Sequence, residues 1–165
     1  MSKFIIQGQK PLSGEIKVSG AKNAALKVFA ASLALSGKSV LNNVPEIEDI
    51  HRMVEIIKDL GAEIVKNGSS YTIDPSGMSK TEVNPKLHQK LRSSIMLAGP
   101  MMLKMGEVTF TEPGGCFLGK RPIDYFLEGY KTFGVEIEEW NEGYRLRAKK
   151  LRPAKIVFPR VSHTG

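Results

Sequence analysis

The chain has one cysteine, Cys116, so it cannot form an internal disulfide or a Cys-rich zinc site. Its three histidines, His51, His88 and His163, are scattered and suggest no metal cluster; neither a metal nor a cofactor is expected. Aromatic residues make up only 7%, which argues against an aromatic base-stacking surface. Long hydrophobic runs are also missing. The longest, Val28 to Leu35, follows Lys27 and is interrupted by Ser32, whereas about 20 apolar residues are needed to span a bilayer. Met1-Ser2-Lys3-Phe4-Ile5-Ile6-Gln7 alternates like a strand and has no signal-peptide core. What remains is 165 residues, 41% hydrophobic and 25% charged, enough for a single domain with its own core. A net charge of +7 points to an anionic ligand: phosphate, carboxylate or nucleic acid. The expectation is a soluble, cytoplasmic protein that needs no membrane.

Hydrophobic periodicity and turn residues divide the chain. Lys3–Gln7 and Gly14–Val18 read as short strands around a turn at Pro11–Gly14. Asn23–Leu35 is rich in Ala and Leu and reads as a helix, with Gly37 just beyond it. Ser39–Leu41 is a strand candidate. In Glu46–Leu60, the residues Ile50, Met53, Val54, Ile57 and Leu60 fall at helical spacing, and Gly61 ends the run. Ala62–Lys66 and Ser70–Ile73 form a hairpin candidate around Asn67-Gly68. The same succession then restarts. Lys86–Lys104 reads as a second long helical stretch with Pro100 as its kink or break. Gly106–Thr111 is a strand candidate, Ile123–Phe133 an amphipathic helix ended by Gly134, and Val135–Glu139 with Gly143–Ala148 a second hairpin.

The halves overlay. Leu60-Gly61-Ala62-Glu63-Ile64 matches Phe133-Gly134-Val135-Glu136-Ile137, and Tyr71 matches Tyr144, at an offset of 73 residues. Gly37 matches Gly106 at an offset of 69, so the second half holds four extra residues within Thr111–Pro122. A repeat that lengthens at one loop marks that loop as specialised. Lys155-Ile156-Val157-Phe158 resembles the Glu15–Val18 strand, as if a third unit begins at 151–165 and then stops; the reading is a truncated product. Residues 143–165 carry seven positive charges and no acid. That stretch is either a solvated strand edge or, with no binding motif to support it, a nucleic-acid patch.

The richest segment is Glu112-Pro113-Gly114-Gly115-Cys116-Phe117-Leu118-Gly119-Lys120-Arg121-Pro122-Ile123-Asp124. Its glycines let the backbone bend and approach a ligand closely. Lys120, Arg121 and a helix start at Pro122 surround the thiol with positive potential. Cys116 is therefore a candidate nucleophile or proton donor, the alternative being a buried inert cysteine. Gly114-x4-Gly119-Lys120 nearly completes a phosphate-binding P-loop, but Arg121 stands where Ser or Thr must hold magnesium. In Ser19-Gly20-Ala21-Lys22-Asn23 a strand passes through Gly to a helix whose first turn presents Lys22 and Asn23. This suits phosphate or carboxylate, or is plain capping by Ser19 or Asn23. Taken alone, Arg92 and Asp124 read as a surface charge and a helix-start acid.

Three stretches together resemble the UDP-N-acetylglucosamine 1-carboxyvinyltransferase family of enolpyruvyl transferases: Ile16–Leu26, Arg92-Ser93-Ser94-Ile95 with Gly99-Pro100, and Pro113–Asp124. The resemblance runs the length of the chain. It implies the family's α/β fold: an inside-out barrel of three repeated units per domain, with helices inside and sheets outside. Here that barrel is incomplete. Residues 1–20 would pair with an absent second domain. An incomplete first domain would span 21–165, with repeats at about 21–75 and 85–150 and the start of a third at 151–165.

The resemblance also implies a reaction, the transfer of enolpyruvyl from phosphoenolpyruvate to the 3′-hydroxyl of UDP-N-acetylglucosamine, at the start of peptidoglycan precursor synthesis. Cys116 matches the catalytic proton donor and fosfomycin target. Lys22, Asn23 and Arg121 match phosphoenolpyruvate-binding residues. Arg92, Arg121, Pro122, Ile123, Asp124, Tyr125, Arg160, Val161, Ser162 and His163 match the sugar-nucleotide site. Lys27, Met96, Phe126 and His163 depart from common family residues. Partners would be the two substrates and the missing C-terminal portion, without nucleic acid or membrane, and the chain alone would be inactive. The alternatives are a non-catalytic anion-binding fragment and a basic nucleic-acid binder.

Overall fold

The computed structural model describes residues 3–9, 11–112, 114 and 123–157. The elements are α1 (Lys22–Ser32), β1 (Ser39–Leu41), α2 (Glu48–Asp59), β2 (Glu63–Asn67), β3 (Ser70–Asp74), α3 (Pro85–His88), α4 (Ala98–Met105), β4 (Glu107–Thr111), α5 (Asp124–Thr132), β5 (Glu136–Trp140) and β6 (Gly143–Arg147). A six-residue 3-10 turn, Arg92–Leu97, leads directly into α4.

The strands form two antiparallel three-stranded sheets of the same order, β1-β3-β2 and β4-β6-β5. Register makes the likeness exact in two pairs. Leu41 faces Tyr71 in one sheet and Phe110 faces Tyr144 in the other. Leu41 and Phe110 are 69 residues apart and the two tyrosines 73, so the extra length falls between β4 and β6. The helices before the hairpins stop at Gly61 and Gly134, with φ of +101° and +91°, backbone that glycine adopts without strain. Among the described residues the sheets do not close a barrel; they flank a helical layer.

One continuous core joins the units. It includes Phe29 of α1 and Leu33 at its C-cap, Ile50, Met53 and Ile57 of α2, Ile73 of β3, Leu97 and Met101 ahead of β4, and Leu146 of β6. Each such side chain, fully buried, contributes about 1.5–3 kcal/mol of transfer free energy. Phe29 packs edge-on against Tyr71, ring centres 5.3 Å apart. Between the units, residues 81–83 lie along the outer edge of β4: Thr109 N–H donates to the Thr81 carbonyl (2.8 Å) and Val83 N–H to the Thr109 carbonyl (2.9 Å). No helix among the described residues is long and apolar enough to cross a membrane.

Three sequence expectations change. Lys3–Gln7 and Gly14–Val18 run as unpaired chain, not strands, because no ladder is formed to satisfy them. Phe4, Ile5, Ile6, Leu12, Ile16 and Val18 are each at least 80% exposed. The expected helical stretch over Lys86–Lys104 is three pieces, and the break falls at 89–91, not at Pro100. Pro100 lies in the first turn of α4, where a missing N–H costs little. The Lys155–Phe158 strand is absent over 155–157; Phe158 lies outside the described residues.

Candidate active site

The first cluster forms where the extended N-terminal chain enters α1. Gly20 lies against the loop after β1 so closely that a Cβ there would sit 1.8 Å from the Asn43 carbonyl oxygen. Only glycine fits, and the contact fixes where α1 begins. Ala21 is the N-cap residue and makes no side-chain capping bond, and the first turn holds no acid. Neither Ser19 nor Asn23 caps the helix, contrary to the capping alternative. Lys22 Nζ instead reaches across to Asp49 Oδ2 in the first turn of α2, at 2.8 Å. With the lysine side chain 52% exposed, this pair is worth about 1 kcal/mol or less, so an anionic ligand can displace the carboxylate. Asn23 is exposed beside it.

The second cluster is the equivalent entry into the other unit. Arg92, half-buried, opens the 3-10 turn that leads into α4. At the offset of 69 set by β1 and β4 it corresponds to Asn23, next to Lys22. Arg52 ties it to the first cluster. Its Nη1 donates to the Lys90 carbonyl (2.7 Å) and its Nε to Glu48 Oε1 (3.0 Å). The first turn of α2 therefore holds Lys22 through Asp49 and the approach to Arg92 through Glu48 and Arg52.

The third part is the base of the cysteine loop. Tyr144 on β6 donates its hydroxyl to Glu112 Oε1 at 3.2 Å. Burial, aided by the Glu112 charge, pushes the Tyr144 phenol up to about 12, so it stays a donor. Gly114 packs on the main chain of Gln89, where a Cβ would meet the carbonyl oxygen at 2.2 Å. This mirrors the Gly20–Asn43 contact with the glycine on the other partner. On the far side Ile123 is buried, Asp124 is exposed in the first turn of α5, and Tyr125 is half-buried. Asp124 is placed to favour the α5 dipole, as expected. Cys116, Lys120, Arg121 and Pro122 lie outside the described residues, as do Arg160, Val161, Ser162 and His163.

In the basic stretch from residue 143, three of the six described cations are ion-paired. Arg147 bonds Glu107 (3.1 Å) and Glu138 (2.9 Å), Arg145 reaches Glu138 (3.5 Å), and Lys149 reaches Glu136 (3.0 Å). The arginine pairs run across strands on a solvated sheet face, and Lys149 lies just past β6. Met96 and Phe126, the departures from common family residues, pack against the core. Sequence reasoning missed Asp49, Arg52, Tyr144 and His88. The first two sit in a plain amphipathic helix and gain meaning only from neighbours 27 and 38 residues away. Tyr144 was visible as the match to Tyr71.

Comparison with known proteins follows the same lines. The family model described as EPSP synthase (3-phosphoshikimate 1-carboxyvinyltransferase) matches residues 6–165. A UDP-N-acetylglucosamine 1-carboxyvinyltransferase of Desulfatibacillum aliphaticivorans is 39% identical over 165 residues, all of this chain and 40% of its own length. One from Carboxydothermus hydrogenoformans is 42% identical, covering 99% of this chain and 39% of its own. The chain thus spans about two fifths of the length of the curated relatives it matches. The enolpyruvyl transferase NikO from Streptomyces tendae superposes with a TM-score of 0.73 at 23% identity, over 86% of this chain and 31% of its own. An EPSP synthase from Acinetobacter baumannii does so with a TM-score of 0.69 at 18% identity, over 91% and 35%. With that fold and a family match over nearly its whole length, the chain belongs to the EPSP synthase family of enolpyruvyl transferases.

Proposed function

We propose that the chain supplies the phosphoenolpyruvate and nucleotide subsites of an enzyme that moves enolpyruvyl onto the 3′-hydroxyl of UDP-N-acetylglucosamine. One observation carries the reading: Lys22 and Arg92 stand at equivalent helix entries of the two units, and the first turn of α2 anchors both segments. The loop after the second unit's first strand bears the chain's one thiol. Names of relatives near 40% identity supply the acceptor sugar nucleotide.

The chemistry follows from the groups. Lys22, Asn23 and Arg121 hold the phosphate and carboxylate of phosphoenolpyruvate. The sugar hydroxyl oxygen bonds to the central carbon and loses its own proton to a base supplied by the remaining polypeptide, while Cys116 gives its proton to the methylene carbon and is left as thiolate; the product is a tetrahedral phospholactyl adduct. A proton then leaves the new methyl group as the carbon–oxygen bond to phosphate breaks. A general acid must arrive protonated, so the cations around Cys116 poise the thiol without ionising it outright. Arg92, Pro122, Ile123, Asp124 and Tyr125, with Arg160 to His163, line the nucleotide subsite. Residues 1–20, whose large apolar side chains are exposed wherever described, belong against a second domain. Residues 21–165 form an incomplete first domain, with repeats at 21–75 and 85–150 and the start of a third at 151–165. We place the reaction in peptidoglycan precursor synthesis in the cytoplasm, with Cys116 as the fosfomycin target.

The 165-residue chain alone is proposed to bind substrate but not turn over, since aligning two substrates and excluding water takes a closed cleft. The test is phosphate release from phosphoenolpyruvate with and without UDP-N-acetylglucosamine. Binding of both compounds, with release absent from the isolated chain and restored by the remaining polypeptide, supports the reading. Binding of anions without preference for either compound favours the non-catalytic alternative.

A further inference from the structure

We propose that His88 is a positioning residue for Arg92, holding the 3-10 turn that carries it against the strand end from which the cysteine loop departs. This rests on the reading of Arg92 as a substrate-site residue. His88 ends the four-residue helix α3 and is fully buried. Its Nδ1 is 2.7 Å from Ser94 Oγ, two residues after Arg92. The same hydroxyl is bonded to the Leu91 carbonyl, one residue before Arg92. Nδ1 and Oγ share one hydrogen bond whose direction follows the ring tautomer, and the hydroxyl joins the ring to the Leu91 carbonyl in either case. The result is a bracket, Leu91 to Ser94 to His88, closed around the backbone of Arg92.

The other face of the ring meets β4. Its centre is 5.7 Å from that of Phe110. The Thr111 main chain interacts with the ring and favours its protonated form, but among the described residues neither Nε2 nor the Thr111 hydroxyl, both buried, has a hydrogen bond of good geometry. Immediately after His88, the Gln89 main chain carries Gly114. The His88 side chain thus links the Arg92 turn to the end of β4, and the main chain of the next residue meets the loop base. Burial pushes the ring down to about 4, so it is neutral and keeps one hydrogen-bonding pattern through the neutral range. An apolar residue would fill this space without leaving an unpaired polar nitrogen buried. A polar ring kept there at a cost in stability fits a role in placement.

The experiment uses the 165-residue chain with His88→Leu, His88→Asn, Ser94→Ala and the Leu/Ala double variant. Asn carries a donor nitrogen at the same bond distance from its backbone as His Nδ1. The readouts are the Arg92 side-chain N–H resonance in the free chain, affinity for UDP-N-acetylglucosamine, and urea stability. The Arg92 resonance should move in His88→Leu and in Ser94→Ala, no further in the double variant, and return in His88→Asn. Affinity should fall fivefold or more in the first two and recover in the third, while His88→Leu is at least as stable as the parent. An Arg92 resonance unmoved in folded Ser94→Ala overturns the proposal, even if His88→Leu does not fold. Effects that add in the double variant overturn it too. If the parent binds no sugar nucleotide but the Arg92 resonance behaves as described, the positioning role stands and the substrate-site reading fails.

Discussion

Lowering the pH protonates a histidine that the fold holds neutral. His88 has an ordinary pKa of about 6.5 once unfolded and about 4 in place. Between those values the unfolded chain binds the proton and the folded chain does not, so stability rises with pH across the window and is lost as pH falls. The full difference corresponds to about 3 kcal/mol, of which about 2 kcal/mol disappears between pH 7.5 and pH 5. Carboxylates add little in that range. Asp74, held near 2 by hydrogen bonds from Ser76 and by Lys38, and Glu46, lowered by Lys66, act at lower pH. Urea unfolding followed by circular dichroism at pH 7.5 and 5 measures the loss, and His88→Asn should remove most of it. An equal slope in parent and variant would refute the reasoning, because the penalty would then reside elsewhere.

Gly20→Ala and Gly114→Ala force a methyl group into main-chain oxygens of Asn43 and Gln89. Each should cost about 1–3 kcal/mol in urea unfolding and weaken substrate binding, whereas Gly37→Ala, in open space, should do neither. Tyr144→Phe removes the hydroxyl bonded to Glu112 and should cost about 1 kcal/mol by the same measurement. Asp49→Asn should change stability by about 1 kcal/mol or less, because the Lys22 pair is exposed. By freeing Lys22 it should also tighten phosphoenolpyruvate binding up to about fivefold in a calorimetric titration.

Most of the fold could be read from the sequence because local signals agreed with the tertiary outcome. The helical spacing in α2 and α5, their terminal glycines and the hairpin turn at 141–142 appear where expected, and the first hairpin turn, at 68–69, lies one residue beyond Asn67-Gly68. The N-terminal strands did not, because alternation prescribes which faces differ but not whether a neighbouring strand exists to pair with. Pro100 misled for a related reason. Its effect depends on position within a helix, and the break upstream arises at 89–91, where the chain turns under Gly114. At the site, Lys22, Asn23 and Arg92 were legible as residues, but their relation was not. It comes from Asp49, Glu48 and Arg52, three charges on the surface of an ordinary amphipathic helix. His88 looked like one scattered histidine until its burial and its bond to Ser94 were visible.

The central step of the proposed reaction is a thiol proton reaching the methylene carbon of phosphoenolpyruvate. The direct measurement is phosphate release dependent on UDP-N-acetylglucosamine, in this chain joined to the remainder of its enzyme, with Cys116 intact and as Cys116→Ala. Loss of the general acid should slow release by about a hundredfold or more while both substrates still bind. Undiminished release from the alanine variant would contradict the account.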